Sequence, residues 1–420
     1  MMEEKKRNII ALSILNFGIS AFWMVENFWI NLYWTRNIDK HVFYVGLMVA
    51  LSAVVGVVTQ IIFGAISDSS KSKLGRRRPF ILFGSITGGI AMCFFPITRL
   101  FSILLFAITY AIIMDALITF FGDITTPTRM AFVAENTEIE ERGKYNAIIG
   151  IFGGLGVVMI VAFSGYVVYV AGPDLAFYMG GVSLVVCGII FFLISKDPPI
   201  DTGEPRKHWK ENIKETFTLD SYRENKSFYF LLLFLFVNMM GVQIVAPYLF
   251  IYIESVLGLT GLELAIVLAG LALMGFLLSF LMGFLLDKFG RKPIMALGAI
   301  GGSITALAFM YIPINAETTL LYTFLLGGLM VGFGAGIAIA SETCMQDLAP
   351  EDRRGSLLAY KIAAMVIPMV PGALIGGYIA DFGPKPEGYL YSPLIFLVSA
   401  IIILISLPIL KFVEETLTKD

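Results

Sequence analysis

The chain has 420 residues, of which 57% are hydrophobic and only 15% are charged, and its mean hydropathy is +0.82. A soluble domain of this size does not need so many apolar residues to fill its core, so the composition indicates an integral membrane protein. The net charge of −2 gives no basis for nucleic-acid binding. The three cysteines, Cys93, Cys187 and Cys344, lack CxxC spacing, so neither a disulfide framework nor a metal site is expected.

Apolar stretches near the ~20 residues needed to cross a bilayer recur along the whole chain. They predict twelve membrane spans at about 8–34, 42–66, 80–96, 101–126, 147–170, 177–194, 229–253, 264–286, 294–312, 319–339, 357–379 and 393–412. The charged start, Met1–Asn8, runs directly into the first span, so no cleavable signal peptide is expected.

The longest polar interval divides six spans from six and predicts an N-terminal bundle (1–195), a cytoplasmic linker (196–226) and a C-terminal bundle (227–420). Of the 30 Lys and Arg residues, only Arg36, Lys40, Arg99 and Lys385 fall on one side of this arrangement. By the positive-inside rule, the side with the other basic residues is cytoplasmic. We therefore expect a multi-pass protein of the cell membrane with both termini in the cytoplasm.

Two basic loops repeat one motif about half a chain apart. The first runs Gly64-x-x-x-Asp68 to Gly75-Arg76-Arg77-Arg78-Pro79, and the second runs Gly283-x-x-x-Asp287-Lys288-Phe289-Gly290-Arg291-Lys292-Pro293. Two further pairs, Arg142/Arg354 and Gly165/Gly377, are each 212 positions apart. Such internal duplication is typical of secondary transporters.

With six plus six spans, these loops resemble the major facilitator superfamily along essentially the whole chain. The resemblance implies an all-α integral membrane fold of twelve transmembrane helices in two six-helix bundles. It also implies that loop charges act as a conformational latch, with Asp68 paired to Arg129. The residues assigned to this latch are Asp68, Arg76, Arg129, Glu135, Asp287 and Arg291. The alternative is that these charges only set solubility and orientation.

A narrower resemblance rests on the extra residues of the first loop. The run Gly75-Arg76-Arg77-Arg78-Pro79-Phe80, followed by Pro127-x-Arg129, Ala134-Glu135 and Asn146, is similar to sucrose transporters and the related glycoside–pentoside–hexuronide cation symporters. An Asp usually takes the place of Glu135 in that group. Selection for topology alone also produces a basic loop, so this resemblance leaves that alternative open.

Few acids lie at membrane depth, where a charge is expensive and therefore usually functional. Asp115, Thr119 and Asp123 recur at four-residue steps in the fourth span, so they share one helix face. With Glu26 in the first span, Asp115 and Asp123 are the candidate coupling-ion residues. A structural hydrogen bond remains the alternative for Asp115, and a gate or a pairing with Arg129 remains the alternative for Asp123.

Sugar sites combine carboxylates and amides with aromatic faces, because hydroxyls need hydrogen bonds and ring C–H groups stack on indole. Trp23, Glu26 and Asn27 supply all three in the first span, and Asn238, Gln243 and Tyr248 supply neutral groups in the seventh. These residues are the predicted substrate-binding set. For the second group, hydrogen bonds between helices are the commoner role.

The sequence thus predicts a secondary active transporter that works by alternating access as a symporter of a sugar or glycoside, coupled to protons or to another cation such as sodium. An exporter of drugs or metabolites with the same fold is the alternative. The chain has no HExxH motif or Ser/His pairing, so we expect neither an enzyme nor a receptor. The expected partners are a small-molecule sugar or glycoside and the lipid bilayer, with no nucleic acid, no resident cofactor or metal, and a monomeric state.

Overall fold

A computed structural model describes residues 2–70, 72–137, 145–146, 148–161, 172–197, 225–314, 317–348 and 364–417. Within these ranges every regular element is a helix. The all-α prediction is therefore confirmed. In the same residues, eleven helices are long and apolar enough to cross a membrane, and a shorter apolar helix occupies the place of the fifth predicted span.

The helices of the N-terminal half are α1 (Glu4–Asn37), α2 (Phe43–Asp68), α3 (Arg78–Leu100), α4 (Leu104–Asn136), α5 (Ile148–Val161) and α6 (Asp174–Ile194). Those of the C-terminal half are α7 (Lys226–Ser255), α8 (Gly261–Leu286), α9 (Arg291–Phe309), α10 (Thr319–Met345), α11 (Ala364–Phe382) and α12 (Leu394–Phe412). The predicted ends of the fifth span and the start of the eleventh lie outside the described residues.

Contacts within the chain group it into two units. Unit 1 comprises Met1–Lys40 and Val54–Glu215, and unit 2 comprises His41–Ala53 and Thr216–Asp420. The predicted division into bundles at residues 195 and 226 stays a prediction. It assigns all of α2 to the N-terminal bundle, whereas the contact grouping assigns the first part of α2 to unit 2.

The first part of α2 belongs to unit 2 because close contacts hold it there. The backbone amide of Phe43 donates to the Asp381 carboxylate at 2.7 Å, which caps the start of the helix. Gly46 and Gly377 lie against the Tyr248 hydroxyl, where a Cβ atom at Gly46 would collide with it. The Tyr248 hydroxyl itself donates to the Ala373 carbonyl at 2.5 Å.

Within unit 1, α1 packs against α6, and α3 packs against both α4 and α6. Within unit 2, α10 packs against α8 and α9, while α12 packs against α7 and α9. Glycines allow the closest crossings in unit 1, as at Gly89 and Gly181, where a Cβ atom on either residue would meet the carbonyl oxygen of the other. Small residues serve membrane helices in this way because backbones must approach closely for dispersion contacts to form.

Helix α4 is much longer than its predicted span. It has 33 residues, which corresponds to about 50 Å, against a hydrocarbon thickness of about 30 Å. The hydropathy of the sequence marks only the apolar part of this helix. The polar residues that follow continue the same helix to Asn136. Pro127 lies inside this helix, and the last turn brings Glu135 to the basic loop between α2 and α3. The same helix therefore carries both the acids of the apolar stretch and one acid at the basic loop.

Candidate functional site

Helix α1 contains one π-helical turn, Val25–Ile30. Such turns widen a helix by one residue and are frequent at functional sites, because they redirect side chains. Glu26 lies in this turn and is half-buried, and Asn27 beside it is exposed. The Asn27 amide donates to the Trp23 carbonyl one turn earlier, at 2.9 Å. The π turn thus carries both Glu26 and Asn27, one turn after Trp23, and their contacts with a sugar stay a prediction.

The polar face of α4 lies near Glu26. Asp115, Thr119 and Asp123 are all buried, with 2%, 5% and 7% of their surface exposed. The Glu26 carboxyl is close enough to Asp115 and Asp123 for direct charge repulsion, and Thr119 lies beside it. The structure therefore brings the three predicted coupling-ion residues together from two helices of unit 1. We call Glu26, Asp115, Thr119 and Asp123 the acidic site.

The Asp123 carboxylate is held in place from α2. The Gln60 amide donates to its Oδ1 at 3.0 Å, and the Thr126 hydroxyl donates to the same atom at 3.3 Å. Its Oδ2 lies against Gly56, where a Cβ atom would stand only 2.5 Å away. Glycine at position 56 thus gives the carboxylate room to sit against the backbone of α2. These contacts explain the position of Asp123 without an ion pair to Arg129.

Trp23 is half-buried and packs within unit 1. Its ring meets the Phe22 ring edge to face, with centroids 5.2 Å apart. The indole also lies over Gly122, where a Cβ atom would be 3.2 Å from the ring. Gly122 is the residue before Asp123, so the indole lies next to the acidic site.

The predicted sugar-binding residues of unit 2 have different surroundings. Tyr248 is almost completely buried, and its hydroxyl donates a hydrogen bond to the Ala373 carbonyl. Asn238 is fully buried beside an apolar cavity. Gln243 packs with its Cβ against Gly372 of α11. Their predicted contacts with a sugar stay predictions.

A charge cluster closes the basic loop of unit 1 around Arg77, which is 4% exposed. The Arg77 guanidinium donates to Asp68 at 2.5 Å, to Glu135 at 2.8 and 3.0 Å, and to the Ser67 hydroxyl at 2.6 Å. Arg76 meets the same two carboxylates at 3.3 and 3.4 Å. Burial acts to lower the pKa of Arg77, but Glu135 and Asp68 outweigh it, so this pKa lies above its ordinary value.

Asp197, just after α6, contacts the backbone of the same loop. Its carboxylate accepts a hydrogen bond from the Arg77 backbone amide at 3.4 Å and lies against Gly75, whose φ of 111° favours glycine. Burial raises the pKa of Asp197, although the amides of the loop and the charge of Arg78 act to lower it. The carboxylate thus sits at the positive N-terminus of α3.

Unit 2 repeats this arrangement with different residues. Glu415, just after α12, accepts hydrogen bonds from the backbone amides of Arg291 and Lys292 at 2.9 and 3.0 Å, at the start of α9. It lies against Gly290, whose φ is 98°. The Arg291 side chain donates to Asp347 at the end of α10, at 3.2 Å. In both halves the basic loop thus contacts one acid that follows the last helix of the half, Asp197 or Glu415, and one near the end of the fourth helix, Glu135 or Asp347. In unit 1 the loop also contacts Asp68.

Two of the six residues assigned to the latch, Arg129 and Asp287, are not seen in these clusters. Arg129 makes no ion pair with Asp68 or with any other described residue, and its Nε has no hydrogen-bond partner among them. Asp287 follows α8 directly, in the helical turn that continues to Phe289, but its side chain lies outside what the structure describes. A latch needs two conformations, so the latch role stays a prediction for all six residues assigned to it.

The sequence patterns did not indicate the roles of Arg77, Asp197, Asp347 and Glu415 in these clusters. A signal existed for Asp347, because it follows Glu135 by the same 212 positions as the other repeated pairs. No comparable signal marked Arg77 within a run of three arginines, or the acids that follow α6 and α12. In the described residues no group of His, Cys, Asp and Glu could hold a metal ion.

Comparisons with known proteins agree with this architecture. Residues 10–360 and 231–419 match the Major Facilitator Superfamily. Sugar efflux transporter A from Dickeya chrysanthemi is 26% identical over 367 residues, which cover 83% of this chain and 82% of that protein. The quinolone resistance protein NorA from Staphylococcus aureus is 28% identical over 166 residues, 39% of this chain. That match spans only 41% of the length of NorA.

A crystal structure of a D-xylose-proton symporter superposes with a TM-score of 0.74 and covers 98% of both chains, at 16% sequence identity. At this identity the likeness concerns the fold. The apolar helices of the described residues, the duplicated basic loops and the match over most of the sequence lead to the same result. This chain is a multi-pass membrane protein of the Major Facilitator Superfamily.

Proposed function

We propose that this protein is a proton-coupled sugar or glycoside symporter that works by alternating access. The observation that carries the proposal is the acidic site, in which Glu26, Asp115 and Asp123 converge in unit 1. Carboxylates at membrane depth are costly, and like charges held close together increase that cost. A bound proton or cation neutralises the carboxylates of the acidic site. The charge of these carboxylates therefore depends on whether the coupling ion is bound.

A proton suits these groups better than sodium does. Sodium is a hard cation that is held by oxygen atoms, whereas Asp123 receives an N–H donor from Gln60 and a hydroxyl from Thr126. Those donors occupy Oδ1 and leave the site fewer oxygens for a metal ion. Protonation needs only one carboxyl oxygen, so we assign the coupling ion as a proton.

The sugar is assigned from the groups beside the acidic site. Trp23 offers an indole face, and Glu26 and the exposed Asn27 offer hydrogen-bonding groups on the next turn of α1. The similarity to Sugar efflux transporter A over most of the chain supports a sugar as the substrate class. The similarity of the first basic loop to sucrose-type and glycoside cation symporters supports a glycoside or disaccharide.

We further propose that the protein acts as a monomer in the cell membrane, with both termini in the cytoplasm and without a resident cofactor. The distribution of basic residues supports this orientation, because both charge clusters then face the cytoplasm. Labelling of single cysteines introduced near either terminus, in intact and in opened cells, tests the orientation directly.

Transport is tested in proteoliposomes with an imposed proton or sodium gradient and a panel of labelled glycosides. We expect a proton gradient to drive accumulation of a mono- or disaccharide, and we expect Asp115→Asn to abolish it. Lys361→Gln, which lies outside the described residues, and Glu387→Gln, which removes an exposed acid from a loop, should retain accumulation. Undiminished accumulation by Asp115→Asn would remove Asp115 from coupling.

An exporter is the second candidate, and the names of the relatives favour it. Both Sugar efflux transporter A and NorA are named for export or resistance, and exporters of this fold also carry acids at membrane depth. The direction of linked flow separates the two. In a symporter, sugar added outside alkalinises the outer solution, whereas in an antiporter it drives protons the opposite way. Movement of hydrophobic cations without any sugar would replace the sugar assignment.

A further inference from the structure

Unit 2 contains a cavity of about 270 Å³, and no residue of the acidic site lines it. It lies among α7, α9, α10 and α12, and its walls are mostly aliphatic and aromatic, including Val242, Phe250, Met330 and Ile337. Interiors of proteins are packed closely, and voids larger than a few water molecules are uncommon. A concave, mostly apolar space with one convergent polar group is the usual form of a small-molecule site.

One polar side chain faces the cavity without a partner. Asn238 on α7 is completely buried, and neither its Oδ1 nor its Nδ2 has a hydrogen-bond partner among the described residues. Buried amides are almost always hydrogen-bonded, because an unmade bond carries the full desolvation penalty of the group. Asn238 thus presents one free acceptor and two free donors to the cavity.

The rest of the lining offers little to a water cluster. Ser399 is the only other side chain with a polar group on the wall, and its hydroxyl already donates to the Gly241 carbonyl at 2.7 Å. A buried water needs two to four polar partners, whereas apolar cavities stay dry and take up apolar molecules. Water can therefore be satisfied only at the Asn238 end, and the remainder suits an apolar body.

The size of the cavity sets the size of the ligand. A cavity of about 150 Å³ accommodates benzene, so about 270 Å³ accommodates roughly eleven non-hydrogen atoms. We propose that this cavity is a binding site for a small, mainly apolar molecule that carries an adjacent donor and acceptor, as in a cyclic amide, which pairs with both amide atoms of Asn238. The proposal goes beyond sugar transport and does not depend on it.

Two glycines on the wall allow the site to be filled. At Gly334 on α10 a Cβ atom would have no neighbour within 4 Å, and at Gly302 on α9 the nearest atom would be 4.0 Å away. Gly298, in contrast, is packed against Ile337, where a Cβ atom would lie 2.6 Å from the side chain. Gly334→Leu can therefore occupy the cavity without forcing a backbone clash at its Cβ.

The test uses the full-length protein in lipid nanodiscs and two ring compounds of similar shape. The first, 2-quinolinone, is a cyclic amide, and the second, 2-methylnaphthalene, has no hydrogen-bonding group. Affinities are measured by saturation-transfer NMR titration, with empty nanodiscs subtracted. We expect 2-quinolinone to bind wild type more tightly than 2-methylnaphthalene does, by about tenfold, as two hydrogen bonds within the cavity imply.

Asn238→Leu, which keeps the volume and removes both polar atoms, should lose this preference for the amide while still binding 2-methylnaphthalene. Gly334→Leu should abolish binding of both compounds. The control is Gly154→Leu in unit 1, at an exposed glycine where, as at Gly334, a Cβ atom would have no neighbour within 4 Å. This variant should bind both compounds as wild type does.

Absence of binding to wild type, or unchanged amide preference in Asn238→Leu, would overturn the proposal. Binding that survives in Gly334→Leu would place the ligand elsewhere and overturn it as well. None of these readouts requires transport, so a protein that fails to carry sugar can still pass this test, and the reverse also holds.

Discussion

The cluster around Arg77 allows a quantitative prediction about the stability of unit 1. Arg77 and Arg76 are neighbours with the same charge and contact the same two carboxylates, but only Arg77 is buried. Removing one partner of a buried ion pair typically costs about 3–5 kcal/mol, because the remaining charges lose their compensation. Here Asp68 is 47% exposed and Glu135 is 24% exposed, so water compensates part of the loss.

We therefore expect Arg77→Ala to lower the free energy of unfolding by about 2–3 kcal/mol, which is the range for a partly solvated pair. Arg76→Ala should cost at most about 1 kcal/mol, because its contacts are longer and its side chain is more exposed. Arg77→Lys should fall between the two, since an ammonium cannot reproduce the forked contacts of guanidinium.

The assay is unfolding in mixed micelles with increasing SDS, followed by tryptophan fluorescence, which reports on unit 1 through Trp23, Trp29 and Trp34. At about 2–3 kcal/mol the equilibrium constant changes by roughly two orders of magnitude, well above the effect expected for Arg76→Ala. Equal or larger destabilisation by Arg76→Ala would refute the reasoning, because the difference rests on burial and hydrogen-bond geometry and not on charge.

Two further predictions concern the acidic site and the start of α9. Gly56→Ala should reduce the initial rate of proton-driven uptake by at least about tenfold, because its Cβ displaces the carboxylate of Asp123. The control Gly64→Ala should leave the rate unchanged, because the nearest atom to its Cβ is 3.5 Å away. Equal uptake rates in the two variants would contradict this prediction. Partial burial acts to raise the pKa of Glu415, but hydrogen bonds from backbone amides, that of Arg291 first, outweigh it and lower this pKa. The stabilisation by the Glu415 carboxylate is thus present above the ordinary glutamate pKa of about 4.3 and is lost as the pH falls through the lower pKa of the folded state. The thermal unfolding temperatures of wild type and Glu415→Gln should therefore converge at acid pH. A difference between the two temperatures that stays constant with pH would argue against this role of Glu415.

Much of the fold could be predicted from the sequence, because a bilayer imposes a length and an apolar composition on every span. The polar face of α4 was also predictable, since Asp115, Thr119 and Asp123 recur at the helical period. The proximity of Glu26 to this face was not derivable in the same way. It depends on how α1 and α4 pack and on a π turn for which the sequence carries no signal that we could read.

Other features depend on contacts between distant residues. Three consecutive arginines look alike in a sequence, and only the packing of α2, α3 and α4 decides that Arg77 is the buried one. Asp197 and Glu415 act on loops more than a hundred residues away, so no local pattern marks them. For Asn238 the sequence favoured a ligand contact or a hydrogen bond between helices, and the structure shows an amide that faces an apolar cavity.

The internal repeat explains why the two halves offer different chemistry on the same scaffold. The offset of 212 that relates Glu135 to Asp347 also relates the polar face of α4 to α10, where Asp115, Thr119 and Asp123 correspond to Gly327, Val331 and Ala335. Val331 lines the apolar cavity of unit 2. Charge clusters at the basic loops are thus present in both halves, whereas the corresponding faces of α4 and α10 are acidic in one half and apolar in the other. The two halves therefore differ in chemistry at the same repeat positions, since a charged face cannot also form a dry apolar cavity.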